Sequence, residues 1–261
     1  MNDLARMPVL FIGHGSPMNA IESNIFSDAW IRLGQQLPKP KAILSVSAHW
    51  FTRGTRINDS AAPKMVYDMY GFPDELYRVQ YPAPGSPEFA KKAARLLNGR
   101  AVVDNTWGLD HGSWSVLRRL FPNADIPVFQ LSVDAYASPE EHFSIGKTLR
   151  SLRDEDVLIF GSGNVVHNLS RIDWNRSGGF DWALQFDRFI QNAVVSHQPE
   201  LAVQYGKTGE AARLSVPTTD HFAPLLYVLG ASDPGDTVQV LNEACVLGSL
   251  SMTGYFFSTE Q

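Results

Sequence analysis

Residues 8–15, Pro8-Val9-Leu10-Phe11-Ile12-Gly13-His14-Gly15, carry an unbroken apolar run straight into a histidine set between two glycines. An apolar run without polar alternation reads as a strand buried on both faces, the mark of a parallel sheet covered by helices on each side. The same pattern recurs at 41–47 (KAILSVS), 127–133 (PVFQLSV) and 156–161 (DVLIFG), with 101–103 as a shorter candidate. Helical periodicity predicts helices over 27–37, 87–97, 111–120, 139–152 and 182–196, and a shorter one over 219–229. Two late apolar segments, 237–241 and 250–257, read as strands at a sheet edge. This alternation predicts an α/β fold with helices on both faces of a central sheet that is mostly parallel or mixed. No repeat or long linker divides the chain, 174–180 being the most linker-like stretch, so one catalytic domain over residues 1–261 is expected. The stretch 51–86 is rich in Pro, Tyr and Gly and reads as an ordered loop excursion, a common form for functional lids.

Composition narrows the function classes. The chain has 261 residues, 44% hydrophobic and 19% charged, with a formal net charge of −5. A mildly acidic chain has no global electrostatic attraction to nucleic acid or to an anionic membrane. No apolar stretch approaches the roughly 20 residues of a membrane span, and 7–12 is too short for a signal-peptide core. Cytoplasmic localisation is therefore expected, as a monomer or small homo-oligomer. The single cysteine, Cys245, sits in apolar sequence and reads as a buried thiol. Seven histidines against one cysteine mean that any metal is held by nitrogen and oxygen. The phosphate loop, the GxGxxG turn, the GxSxG elbow and the HExxH helix are all absent from the sequence.

In an open α/β sheet, ligands bind beyond the carboxyl ends of the strands. His14, His49 and His167 each follow a predicted strand and so reach that edge. His221 and His111 stand at predicted helix starts, where the helix end keeps His221 neutral and able to bind a metal. His142 and His197 fall on polar helix faces and read as surface residues. Ser16 and Ser162 read as turn residues. The aromatics Trp50, Phe51, Tyr67, Tyr70, Phe72, Tyr77 and Tyr81 suit either an aromatic-substrate pocket or plain core packing.

Seven motifs in order, GHGSPM (13–18), SAHWF (47–51), YPAPGSP (81–87), WGLDHGSW (107–114), GSGNVVHNL (161–169), PTTDHFAPLLYVLG (217–230) and GSLSM (248–252), resemble the DOPA-dioxygenase-like class III extradiol ring-cleavage dioxygenases. The resemblance runs from about Pro8 to Met252. It implies one divalent metal, usually Fe(II), the ion expected for activity, with Zn(II) in some members; the ordinary affinity order for a histidine site makes Zn(II) the ion expected in purified protein. It also implies metal ligation by His14, His49 and His221, with His167 as the catalytic histidine, close enough to count as a ligand in some members. His111 matches a further active-site histidine that contacts substrate or oxygen. The substrate implied is a small catechol, opened with O₂ beside its diol to a semialdehyde. Tyr67-Asp68-Met69-Tyr70-Gly71-Phe72-Pro73 departs from the family's usual His-Asp-Phe-Gly-Gly-Phe-Pro, which bears on substrate preference and leaves the metal residues untouched. From the residues themselves, a zinc hydrolase using the same histidines and a non-enzymatic binding protein on this fold stay open.

Overall fold

The near-continuous apolar runs become the middle of an eight-stranded mixed sheet in the computed structural model, which describes residues 6–259. In chain order the strands are β1 (Val9–Gly13), β2 (Ala42–Thr52), β3 (Thr55–Ile57), β4 (Ala101–Val103), β5 (Val128–Asp134), β6 (Val157–Gly163), β7 (Asp236–Leu241), β8 (Cys245–Val246), β9 (Leu250–Ser251) and β10 (Gly254–Thr259). The helices are α1 (Ile25–Gln36), α2 (Asp74–Tyr77), α3 (Pro87–Leu96), α4 (His111–Leu120), α5 (Pro139–Leu149), α6 (Asp181–Val195), α7 (Pro199–Val203), α8 (Glu210–Ser215) and α9 (Ala223–Ala231). The sheet order is β4-β3-β5-β2-β6-β1-β10-β7, and β8 and β9 form a separate pair. The central strands β5, β2, β6 and β1 run parallel, while β10 and β7 add antiparallel on one side.

Alternate side chains of β1 enter two cores. Val9 and Phe11 join α3, α5, α6 and α9 on one face, and Leu10 and Ile12 join α1 and α4 on the other. That double burial is the reason the sequence shows no polar alternation. The excursion 51–86 does not hang free. Leu76 and Tyr81 are buried in the same core as α4, and Trp114 Nε1 donates to Val66 O at 3.0 Å.

Four expectations are corrected. First, β2 runs past 47 to Thr52, and its register with β5 slips between Ser47 and Phe51. His49 therefore stands inside a bulge rather than beyond a strand end, and bulges re-aim side chains. Second, α9 starts at Ala223, not 219. Pro224 fits a first helical turn, but a longer helix would press its ring against the carbonyl of Asp220. Third, the apolar segment 250–257 splits into β9 and β10, and β10 lies inside the sheet between β1 and β7. Fourth, His142 is 1% exposed, stacks on Tyr227 and has Nε2 3.0 Å from Asp134 O, because α9 covers that face of α5. His197 is exposed, and Cys245 is buried, its thiol pushed up to about 12 by burial.

Candidate metal centre

Five histidines meet at the carboxyl edge of the central strands. Ring centroids lie 5.0 Å apart for His14 and His49, 5.4 Å for His14 and His221, and 5.1 Å for His49 and His221. One nitrogen from each of these three falls within 4.8 Å of the other two. His111 packs on His49 at 3.9 Å, and His167 stacks flat on His221 at 3.4 Å. His167 thus stands behind His221, outside the three-nitrogen group.

Local sequence explains each placement. His14 follows β1, and its backbone N–H donates to Gly163 O at the end of β6. His49 is delivered by the bulge in β2, over Gly112 of α4. A Cβ at Gly112 would stand 2.8 Å from His49 Cδ2, so only glycine leaves room for the ring. His221 lies in the turn before α9, where Asn164 N–H donates to His221 O. A Cβ at Gly163 would lie 2.1 Å from His221 O, so glycine again sets how near the backbones approach. His167 is fixed by its backbone N–H to Ser215 O and by a bridge to Leu250.

Each of the three grouped histidines has its Nδ1 engaged from outside. His14 Nδ1 lies 3.0 Å from Ser162 Oγ, whose hydroxyl donates to Gly112 O at 2.6 Å. Ser162 is therefore the acceptor, and the proton of His14 sits on Nδ1. His49 Nδ1 is 3.1 Å from Asp68 Oδ2, and His221 Nδ1 is 2.6 Å from Asp220 Oδ2. The unprotonated nitrogens that remain are Nε2. His14 Nε2 and His49 Nε2 face one another at 3.1 Å, and His221 Nε2 is buried without a partner among the described residues. Lone pairs crowded together in a buried site call for a cation between them, and outer acceptors on Nδ1 are the usual support of metal-binding imidazoles. The donor set fits one divalent metal ion. A second close trio is His49, Asp68 and His111, with each ring Nδ1 3.1 Å from a carboxylate oxygen.

Electrostatics favour the neutral form at His14 and His221 but not at His49. Burial and then the neighbouring histidines hold His14 well below the usual histidine range. Burial brings His221 down to about 4, against the pull of Asp220, and His167 to about 2. His111 is also lowered, by burial and then by His49. His49 is raised, because the Asp68 contact and nearby carboxylates outweigh its burial. Burial opposes ionisation of Asp68 and Asp220, yet their histidine partners hold both well below the usual carboxylate range. The expectation of a neutral His221 thus holds through burial more than through a helix end two residues away.

Four supporting residues were not read from the sequence. Ser162 lies in β6 rather than in a turn and orients His14. Asp110 caps α4 and accepts from Ser47 Oγ, Trp107 Nε1 and Gln130 Nε2, fixing the start of the helix that carries His111. Asp110-His111 and Asp220-His221 are adjacent pairs visible in the sequence, whereas nothing local announces Asp68. The aromatics divide: Trp50 and Tyr81 are core residues, while Tyr70 is 91% exposed.

A mixed α/β sheet that gathers three imidazoles at one edge, their nitrogens within reach of one ion, is the architecture of a metal-dependent α/β enzyme. The chain belongs to the family of the catalytic LigB subunit of aromatic ring-opening dioxygenases, whose family model matches residues 9–258. It is 45% identical over 253 residues to the 4,5-DOPA dioxygenase extradiol of Escherichia coli K12, covering 95% of this chain and 93% of that one. It is 36% identical over 257 residues to the protein of the same name from Beta vulgaris, covering 95% of this chain and 96% of that one. A solved structure of an uncharacterized Escherichia coli K12 protein superposes with a TM-score of 0.84 at 41% identity, covering 96% of this chain and 99% of that one. The chain is an extradiol ring-cleavage dioxygenase.

Proposed function

We propose that the substrate is a DOPA-like catechol, opened beside its diol to a semialdehyde, and that His14, His49 and His221 hold the one divalent metal the reaction needs. The observation that carries this reading is the facing pair His14 Nε2 and His49 Nε2, with His221 Nε2 buried and unpartnered beside them. Fe(II) is the metal proposed for turnover: held by the three histidines it would supply the redox chemistry toward O₂ that Zn(II) lacks. A histidine site also favours Zn(II) in the ordinary affinity order, so Zn(II) is the ion we expect in protein purified without added iron.

The chain's own residues do the rest. A ring nitrogen of His167, held neutral by burial, accepts a proton from a substrate hydroxyl as the catechol docks. His111 makes a hydrogen bond to substrate or oxygen through Nε2, the nitrogen not turned to Asp68. Burial of the histidines keeps bulk water from the reacting ring. Imidazole ligands, neutral once bound, would bring no negative protein charge to the metal. The named relatives support DOPA as the first substrate to try. Fe(II) is added anaerobically, then L-DOPA and air, in an oxygen electrode. Oxygen uptake with a yellow product is the expected result, and metal bound without uptake on any catechol would refute the reading.

A further inference from the structure

Asp68 lies in charge contact with two different parts of the site. His49 Nδ1 lies 3.1 Å from its Oδ2 and His111 Nδ1 lies 3.1 Å from its Oδ1. The backbone N–H of His111 also donates to Oδ1, at 2.9 Å. The side chain is 12% exposed, and among the described residues it has no lysine or arginine partner. Its place is fixed by the loop that brings it. Val66 N–H donates to Leu109 O at 2.7 Å, and Trp114 Nε1 donates back to Val66 O at 3.0 Å. The chain two residues before Asp68 is thus tied to the chain two residues before His111. The rings of His49 and His111 are themselves in contact, with centroids 3.9 Å apart.

We propose that Asp68 is a positioning residue for both halves of the reaction site. It holds His49 in the orientation that offers Nε2 to the metal, and it holds His111 with Nε2 as the nitrogen that meets substrate. The inference rests on the assignments under Proposed function and adds one statement to them: metal affinity and turnover depend on a single carboxylate supplied by the 51–86 excursion. Outer partners of metal-binding imidazoles typically change metal affinity or activity by roughly 10- to 100-fold when removed. A carboxylate shared by a ligand and a substrate-side histidine changes both together.

The test uses the full chain with Asp68→Ala and Asp68→Asn. Zn(II) affinity is read by chelator competition, and kcat and KM are read on the Fe(II)-loaded proteins with L-DOPA. Histidine tautomers are read by nitrogen NMR of the zinc-loaded chain. Asp68→Ala is expected to weaken Zn(II) binding by roughly 10- to 100-fold and to lower kcat by a similar factor while KM moves less. Asp68→Asn keeps one acceptor oxygen and presents an amide N–H₂ to the other ring, so one histidine loses its Nδ1–H signature and Zn(II) binding weakens less. If Asp68→Ala does not fold, Asp68→Asn carries the test. Zn(II) affinity within twofold of the unmodified chain in the folded variants would overturn the proposal. So would two bound Zn(II) per unmodified chain with one lost in the variants, since His49, Asp68 and His111 would then be a cation site. Zn(II) binding is read without turnover, so a chain that fails to consume O₂ refutes the catechol reading and leaves this one measurable.

Discussion

The two ends of the central sheet carry buried polar clusters of opposite character. At the amino end, ahead of β6, Arg153 is wholly buried and fully engaged. It donates to Met7 O at 2.7 Å, to Ala231 O at 3.1 Å and to both oxygens of Asp236 at 2.8 and 2.9 Å, with Asp233 alongside. At the carboxyl end, five histidines are crowded together; among the described residues His14 Nε2 and His49 Nε2 meet each other and His221 Nε2 has no partner. Burial alone does not separate a structural cluster from a functional one. The difference is what is left open: a closed network fixes the packing, while an open one is completed by a ligand.

The largest effects should fall on opposite observables at the two ends. His221→Ala should reduce oxygen uptake by more than the about 100-fold that loss of an outer partner costs, with metal content falling in parallel and the fold kept. His221→Glu should restore metal binding and change turnover, because the site would gain a negative charge; equal turnover in both forms would count against His221 as a ligand. Arg153→Ala should cost about 3–5 kcal/mol of stability in urea unfolding, since it leaves Asp236 buried without its partner, with Zn(II) affinity unchanged. Loss of metal by the Arg153 variant would break the comparison.

Asp187 tests an intermediate case. Its carboxylate accepts from Ser251 and Thr253 with no cation beside it among the described residues, and burial lifts its pKa to about 6. A folded-state value above the unfolded one favours the protonated fold. That contribution is complete below about pH 3.8 and is lost as pH rises through about 6. Between pH 4 and 7 the unmodified chain should therefore lose about 2 kcal/mol of stability relative to Asp187→Asn, measured as the pH dependence of the difference in unfolding free energy. A flat difference would show that the site is less desolvated than its burial indicates. The smallest effect is expected from Ser162→Ala, which removes the acceptor for His14 Nδ1. It should weaken Zn(II) binding by about 10- to 100-fold, or about 1–3 kcal/mol, with little change in thermal stability.

The strands that build the sheet's centre were legible because double burial leaves an unmistakable apolar run, and β1, β5 and β6 lie where those runs stand. The histidines at their ends were legible for the same reason. What escaped was set by packing at a distance. His142 looked solvent-facing because nothing in 139–152 announces α9 lying across it. Ser162 looked like a turn because β6 continues two residues beyond its apolar run. Asp68 is separated from His111 by 43 residues, and its role exists only because the excursion folds back against 109 and 114. The bulge that turns His49 inward depends on the register of β5, which the residues of β2 do not encode alone.

The central claim, that His14, His49 and His221 jointly hold the metal on which ring opening depends, is tested most directly by anaerobic Fe(II) titration followed by oxygen uptake with L-DOPA, in the unmodified chain and in the three single alanine variants. The account predicts one bound Fe(II) per unmodified chain, oxygen consumed in step with catechol, and both lost in each variant. Oxygen uptake that persists undiminished in any of the three would contradict it.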